Sequence, residues 1–484
     1  NAQRPVPIGL IDRFHNLLRA GIAFRLALAQ APLLYIYYWC PIKLFLENKK
    51  IRTGSIWRNQ SFLVILVLPQ TLITMGKSSH FIGQPMYSQV IKLLDKSRIL
   101  QISRENGGER YTKRFNGWIH LVVMLYAIIM RFDSLREITA SLLTEARKLS
   151  HIGITFKIGR STLADANKRR SEAIFESIYR DTYATYRHVL SSDSRTGKTP
   201  QWMRRLQIID STTITLFSNL IFKGVGRHPK NGKKKGGIKV HTVIHANEGV
   251  PSDIRFTSAA TNDSFMLKPS SLSKGDIIAM DRAYIDYEKF EQLTEKQVIY
   301  VTKMKKSLKY EILGDTIYQT PEGVMEVRVQ EVRFTKKKQG GETIVHNARI
   351  ITYVDVRKHK LISLLTNDME FDPSEIIEIY RRRWEIELLF KQIKQNFPLK
   401  YFYGESANAI KIQIWVTLIA NLLLMVMQKQ LQRPWSFSGL ATMVRITLMD
   451  YVDFYSLFNF PEKDWEDILA KTEQRFMEQL LLFG

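Results

Sequence analysis

Apolar and polar positions along this chain repeat with two periods, and the period switches twice. Between residues 86 and 200 the repeat is helical, as in "MYSQVIKLLDKSRI" and "SLREITASLLTEARKL" (134–149), where charges fill the gaps between apolar residues. "IGRSTLADANKRRSEAIFESIYRDTYATY" continues it, with Ser161 and Thr162 as expected caps and a basic helix behind them. A short helix, a turn and a basic helix is compatible with a helix-turn-helix DNA reader. A helical bundle with Lys168, Arg169 and Arg170 on a solvated face has the same pattern. From 205 the chain turns to strands. "LQIIDSTTITLF" is a β-rich run, and "IKVHTVIHANEGVPSDIRFTSA" reads as a hairpin about an Asn-Glu-Gly turn. "GDIIAMDRAYIDYEKFEQL" is a buried strand leading into an amphipathic helix, and "VIYVTKMK" is another strand. Residues 306–365 stay β-rich, with "EVRVQEVRF" and "ARIITYVDV" flanking the turn "TKKKQGGE". Helices return at 373 and run to the end, where "DWEDILAKTEQRFMEQLLLFG" is an amphipathic helix suited to packing or dimerisation.

Three apolar stretches, 61–75, 117–130 and 412–427, are shorter than the roughly 20 residues a bilayer span needs, and they predict buried helices. No membrane partner is expected. Residues 1–85 differ from the rest. They hold two acids, Asp12 and Glu47, begin with Asn and lack a clean period. They are expected to be translated upstream sequence with Met86 as the true start; a poorly packed N-terminal arm is the other reading.

Composition adds one strong constraint. Lys and Arg number 71 against 46 acids, a formal net charge of +25, which calls for a polyanionic partner: nucleic acid first, an anionic membrane second. The single cysteine, Cys40, excludes an internal disulfide, argues against a Cys-based zinc site and suits a reducing, cytoplasmic setting.

Asp210 closes the apolar run "LQIID" and Asp281 closes "DIIAMD", so each carboxylate is expected at the end of a buried strand. A carboxylate buried there needs a partner, and a divalent cation with oxygen ligands is a natural one. Either aspartate alone reads equally as a turn cap. Asp263 is expected to cap a turn, and His241 and His245 to serve a core strand rather than a metal. The basic, Gly-rich "KNGKKKGG" (230–237) is expected to follow DNA phosphates, and "TKKKQGGE" (335–342) is weighed alike; a solvated turn is the bland reading of both.

The densest chemistry lies in "IYRRRWEIELLFKQIKQ" (379–395). At about 100° per residue, Tyr380, Arg383, Glu387 and Lys394 fall within an arc of roughly 60°. Leu389, Ile386, Ile393 and Phe390 take a separate apolar face. Glu385 points about 140° away from Tyr380, so Glu387 is the carboxylate that shares the stripe. Arg381 and Arg382 leave it and read as solvated surface, and Trp384 reads as a core tryptophan. Ion pairing on an exposed helix would explain Arg383 and Glu387 alone. An aromatic, a cation, a carboxylate and a second cation in line also suit a phosphodiester.

Tyr380, Arg383, Glu387 and Lys394, at this spacing, resemble the Y-R-E-K signature of DDE transposases of the insertion-sequence-four family. "LQIIDSTT", "IIAMDRAY", "LLTND" and "GESANAIKIQIW" are similar to the same family, in the right order, over roughly 86–430. The resemblance implies an α/β fold: an RNase H-like catalytic core with a β-rich insertion before the last catalytic residue, plus a helical N-terminal DNA-binding region. The divisions are then an atypical segment 1–85, a DNA-binding region 86–200, core 201–305, insertion 306–365, core 366–430 and a helical C-terminal region 431–484. It implies Asp210, Asp281 and Glu387 as catalytic ligands of two Mg²⁺ or Mn²⁺ ions, with Tyr380, Arg383 and Lys394 holding DNA. It implies double-stranded DNA as partner, both element ends and target, a homodimer on that DNA, and a bacterial, nucleoid-associated cytoplasmic location. The activity implied is end nicking, a hairpin intermediate and strand transfer. A relative that binds ends without cutting, or a nuclease of the same fold without strand transfer, are the alternatives.

Overall fold

The computed structural model describes residues 83–191, 200–215, 237–246, 248–259, 261, 266–319, 326–337, 343–355 and 359–483. Most of the atypical segment 1–85, Asp263, most of "KNGKKKGG", residues 338–342 and the apolar stretch 61–75 lie outside them.

Among the described residues, seven α-helices precede the sheet: α1 Met86–Ile91, α2 Lys96–Glu105, α3 Gly117–Met130, α4 Leu135–Thr144, α5 Ala146–Ser150, α6 Arg160–Arg169 and α7 Glu172–Leu190. The single helix expected over 134–149 breaks at Glu145, whose φ of −100° and ψ of 17° leave the helical basin. Ser134, not an internal residue, caps α4 by accepting from the Glu137 N–H. α6 starts at Arg160 with Gly159 at the cap position, so Ser161 and Thr162 sit in its first turn rather than ahead of it. Ser171 caps α7. α3 is apolar all round and buried along nearly its whole length. Asn116 closes its start, and Arg131 in the left-handed region, at φ 61°, closes its end.

The strands are β1 Leu206–Thr215, β2 Gly237–His245, β3 Pro251–Ser258, β4 Ile277–Met280, β5 Ile299–Lys303, β6 Glu311–Gln319, β7 Glu326–Lys337, β8 Thr343–Asp355 and β9 Lys360–Thr366. They form one sheet in the order β3-β2-β1-β4-β5-β9-β8-β7-β6. β1, β4 and β5 run parallel; the pairs outside them are antiparallel. The expected hairpin is β2–β3. β4 is buried on both faces, as a central parallel strand must be. Helix α8, Tyr287–Glu295, covers one face with Phe290 stacked on Tyr300 at 3.9 Å. The β-rich stretch 306–365 does not stand apart: β9 pairs with β5, so β6 to β9 lengthen the same sheet.

The other face is covered by α9 Pro373–Arg382, α10 Trp384–Asn396 and α11 Ala407–Lys429. α12 Phe437–Thr447, α13 Phe454–Asn459 and α14 Lys463–Phe483 follow. Two of the three apolar stretches are buried helices as expected, but the last is longer than its apolar run. α11 has 23 residues and is apolar enough to cross a membrane by length and composition; in this fold it is packed inside protein. Its Trp415 donates from Nε1 to Glu172 at 3.0 Å, and Lys411 pairs with the same carboxylate at 2.6 Å. α7 also grips the β2–β3 hairpin through Arg187–Glu248 and Arg180–Asp253, both at 2.9 Å.

Candidate active site

Strand alternation places the two aspartates. Side chains two apart share a face, so Asp210 and Thr212 lie on the side of Ile208, and Asp281 on the side of Ala279, both within the core under α9–α11. The parallel register pairs Ile209 with Met280, which makes Asp210 and Asp281 the next level on adjacent strands. Asp210 is not at a strand end, as the sequence had implied. β1 continues to Thr215 against β2, with Asp210 opposite Thr242, because only its pairing with β4 stops there.

The third carboxylate comes from above. α9 lies over β4 and β5, and α10 over β1. The helix expected as one piece is two, joined at Arg383, whose φ of −51° and ψ of −29° stay helical. Its N–H turns to Tyr380 O at 3.1 Å, a three-residue step that tightens the junction while keeping the phase. The stripe therefore survives. Arg383 donates to Glu387 at 2.7 Å, approaches Asp210 at 3.8 Å and sits 5.6 Å from the centre of the Tyr380 ring. Lys394, two turns on, donates to Thr212 Oγ1 at 2.6 Å. Glu385 faces elsewhere and pairs with Arg382 at 2.9 Å. Arg381 and Arg382 both reach Glu378, so they form a surface ion-pair set rather than bare solvated charge.

Thr212 was missed in the sequence, although "DSTT" carried the signal: two residues after Asp210, it must share that face. Trp384 corrects an expectation outright. It is 54 % exposed, since the helical phase carries it toward solvent, away from the Ile386, Leu389 and Ile393 face. With Tyr380, Arg381, Arg382, Arg383, Tyr353 and Lys303 it lines a groove of about 850 Å³ beside the carboxylates. His241 and His245 do not converge on a metal; His241 is buried and hydrogen-bonded to Thr257 at 2.7 Å.

The electrostatics match a crowded acidic site. Burial pushes Asp210 up to about 6; the Ser211 N–H at 2.7 Å and Arg383 pull it down, and Asp281 and Glu387 push it further up. Asp210 thus feels both other carboxylates. Burial also raises the Tyr380 phenol. Burial opposes the charge on Arg383, but Glu387, Tyr380 and Asp210 more than offset it and hold its pKa above the usual value. Among the described residues, no three His, Cys, Asp or Glu side chains converge closely enough to hold one ion as they stand. Arg383 reaches both Asp210 and Glu387 and sets its one positive charge against the two carboxylates. The donors nevertheless fit a hard divalent cation in kind: three carboxylates, all oxygen, one with its proton affinity raised by burial and, less, by the like charges near it.

Comparison with known proteins decides the type of site. Residues 201–423, which hold all six of these side chains, match the transposase DDE domain. The chain carries a transposase DDE domain. A second match, to a domain of unknown function (DUF4372), covers residues 82–155. Three relatives are named as transposases. One from Sinorhizobium fredii is 28% identical over 266 residues, 55% of this chain and 70% of its own. Another, for an insertion sequence element of Synechocystis sp., is 24% identical over 54% of this chain and 70% of its own. The third, for an insertion sequence element of Geobacillus stearothermophilus, is 22% identical over 57% and 68%. A piggyBac transposase synaptic complex with hairpin DNA aligns at a TM-score of 0.37 and 13% identity, over 75% of this chain and 80% of that one. The enzyme is a DNA-cleaving DDE transposase, and divalent-metal dependence comes with that domain.

Proposed function

We propose that this transposase moves its own insertion sequence by cut-and-paste chemistry, with Asp210, Asp281 and Glu387 as the catalytic carboxylates of an RNase H-like core. The observation that supports the reading is that Asp210 on β1 and Glu387 on α10 share Arg383, while Asp281, just past β4, lies near enough to act on Asp210. These carboxylates would hold two Mg²⁺ or Mn²⁺ ions. Bound there, the ions would activate a water or a 3′-hydroxyl and stabilise the leaving oxygen. The chain's own side chains do the rest. Arg383, a planar fork already shared between two carboxylates, is placed to take the scissile phosphate when they turn to cations. Lys394, anchored on Thr212, adds a second positive charge along the DNA backbone. Tyr380 shapes the wall beside Arg383. The groove past Trp384, lined by Lys303 and Arg381–Arg383 together with Asp355, Glu378 and Glu385, gives the flanking strand an aromatic-edged path.

In this scheme water oxygen attacks the phosphorus at the element's end, and the P–O3′ bond breaks to free a 3′-hydroxyl. That hydroxyl attacks the phosphorus on the opposite strand, whose P–O3′ bond breaks to release the flanking DNA with a 3′-hydroxyl and leave a hairpin on the element end. Water then attacks the hairpin phosphorus and breaks its P–O3′ bond, and the 3′-hydroxyl so freed attacks a target phosphodiester, whose P–O3′ bond breaks to leave a target 3′-hydroxyl. We assign this chain to the insertion-sequence-four group by its Y-R-E-K spacing, with a homodimer on paired ends at the nucleoid. The test is incubation of the full chain with an end-labelled duplex from the element's terminus, with Mg²⁺ and a supercoiled target plasmid. Nicks, then hairpins on a denaturing gel, then label joined to plasmid are expected. Nicks without joined label would make this a plain nuclease; binding without nicks would make it an end-binding protein only.

A further inference from the structure

The N-terminal helices carry a second basic site, far along the chain from the carboxylates, whose loop lies in the stretch that matches a domain of unknown function. It is built around the loop Asn106–Phe115, "NGGERYTKRF", between α2 and α3. The protein fixes this loop firmly. Glu109 Oε1 accepts from Ser103 Oγ at 2.5 Å and from the Gly117 N–H at 2.7 Å. Asn106 Nδ2 donates to Ile102 O at 2.9 Å. Gly108 packs so tightly on Ile174 and Ser103 that a Cβ there would collide with both.

Arg170 is the main clamp, which removes it both from the basic helix expected to read DNA and from the alternative of a solvated Lys168–Arg170 face. It follows the last residue of α6 in extended conformation, so its side chain turns inward and is more than nine-tenths buried. Its Nε donates to Gly108 O at 3.0 Å and its Nη2 to Phe115 O, which spans the loop from end to end. Its Nη1 has no hydrogen-bond partner among the described residues.

A loop held this way presents its remaining side chains outward. Arg110, Lys113 and Arg114 line a groove of about 1390 Å³, with Lys157 and Arg169 across from them and Glu105 as the only carboxylate in the lining. No ion pair among the described residues neutralises Arg110, Lys113, Arg114 or Lys157. Tyr111 stands at the loop tip, 99 % exposed, with φ at +58°. A non-glycine residue there costs backbone strain, and a tyrosine ring held wholly in water gains nothing from folding. Nothing among the described residues offsets either cost.

We propose that the groove between the Asn106–Phe115 loop and helix α6 binds the phosphodiester backbone of duplex DNA, with Tyr111 as an aromatic wedge stacked on a base or sugar. The proposal rests on the reading of this chain as a DNA transposase. It places backbone contact on the loop, not on a solvated Lys168–Arg170 face. Cations clear of carboxylates recognise phosphate, and an exposed ring on a rigid loop recognises a stacking surface.

The test measures binding of a fluorescein-labelled duplex from the element's end to the full chain by anisotropy, between 100 and 300 mM KCl. Lys113→Ala with Arg114→Ala, both exposed, is expected to weaken binding about tenfold at 150 mM and to lower the salt slope by about two. Tyr111→Gly should keep or raise the melting temperature, since glycine adopts that φ freely, while weakening binding about fivefold. Tyr111→Phe should bind as wild type. Wild-type affinity and slope in the double variant, or wild-type binding by Tyr111→Gly, would overturn the proposal while leaving the transposase reading intact. Absence of DNA binding by the unmodified chain would overturn both.

Discussion

Arg383 is the residue on which the site turns. It is the only one of the three consecutive arginines to face the carboxylates, because the helical phase carries Arg381 and Arg382 around to Glu378. Its fork meets two carboxylates and a ring at once, which an ammonium cannot do. Arg383→Lys is therefore expected to lower the nicking rate by about tenfold or more while leaving DNA affinity within a few-fold; a single-turnover assay checks it. Asp210 gives a pH signature. Its folded pKa of about 6 lies above the ordinary 3.8, so protonation favours the fold and ionisation opposes it. The opposition grows as pH rises from about 4 to 6 and stands in full above pH 6. Asp210→Asn, which mimics the protonated form, should thus stabilise the metal-free protein above pH 6, by at most about 3 kcal/mol, and do little below pH 4. A stability difference that does not change with pH would contradict this.

At the level of elements, much was legible because it follows from local periodicity. The apolar runs "LQIID" and "IIAMD" marked Asp210 and Asp281 as carried by buried strands, and the helical phase of 379–395 separated Glu387 from Glu385; the common level of the two aspartates came only with the β1–β4 register. What failed was decided by partners distant in sequence. Trp384 looked like core because it is large and apolar, yet its side of the junction is left uncovered. Arg170 looked like one of three surface cations, yet the helix ends at Arg169 and its carbonyl partners, Gly108 and Phe115, lie more than fifty residues away. The split at Arg383 has no signal in glycine or proline. Two tryptophans test the distinction. Trp384→Ala should change stability by less than about 0.5 kcal/mol, whereas Trp415→Ala, fully buried beside Tyr179 and Phe256, should cost about 3–5 kcal/mol. Urea unfolding of the two variants side by side measures it.

For the whole molecule, the sheet explains the long interval between the second and third carboxylates. After Asp281 the chain builds β5, runs out through β6 to β8, and returns on β9 beside β5 before α9 and α10 cross the sheet. The excursion ends where it began, so Glu387 arrives above Asp210. Pairings of that range are invisible to a local pattern; the sequence indicated β-rich residues there, not that they would extend the core sheet. The net charge of +25 acts at this scale too. Binding to duplex DNA should fall by several orders of magnitude between 50 and 200 mM salt, about 10³-fold or more if six or more phosphates are contacted; a titration series in KCl checks the slope.

The most direct measurement compares Glu387→Gln with Glu385→Gln for Mg²⁺-dependent nicking of the labelled end duplex, with duplex binding measured on the same preparations. Glu387→Gln should bind the duplex and lose nicking by about 10³-fold or more. Glu385→Gln should nick within a few-fold of wild type. Nicking that survives in Glu387→Gln, or disappears in Glu385→Gln with binding intact, would contradict the assignment of the third carboxylate.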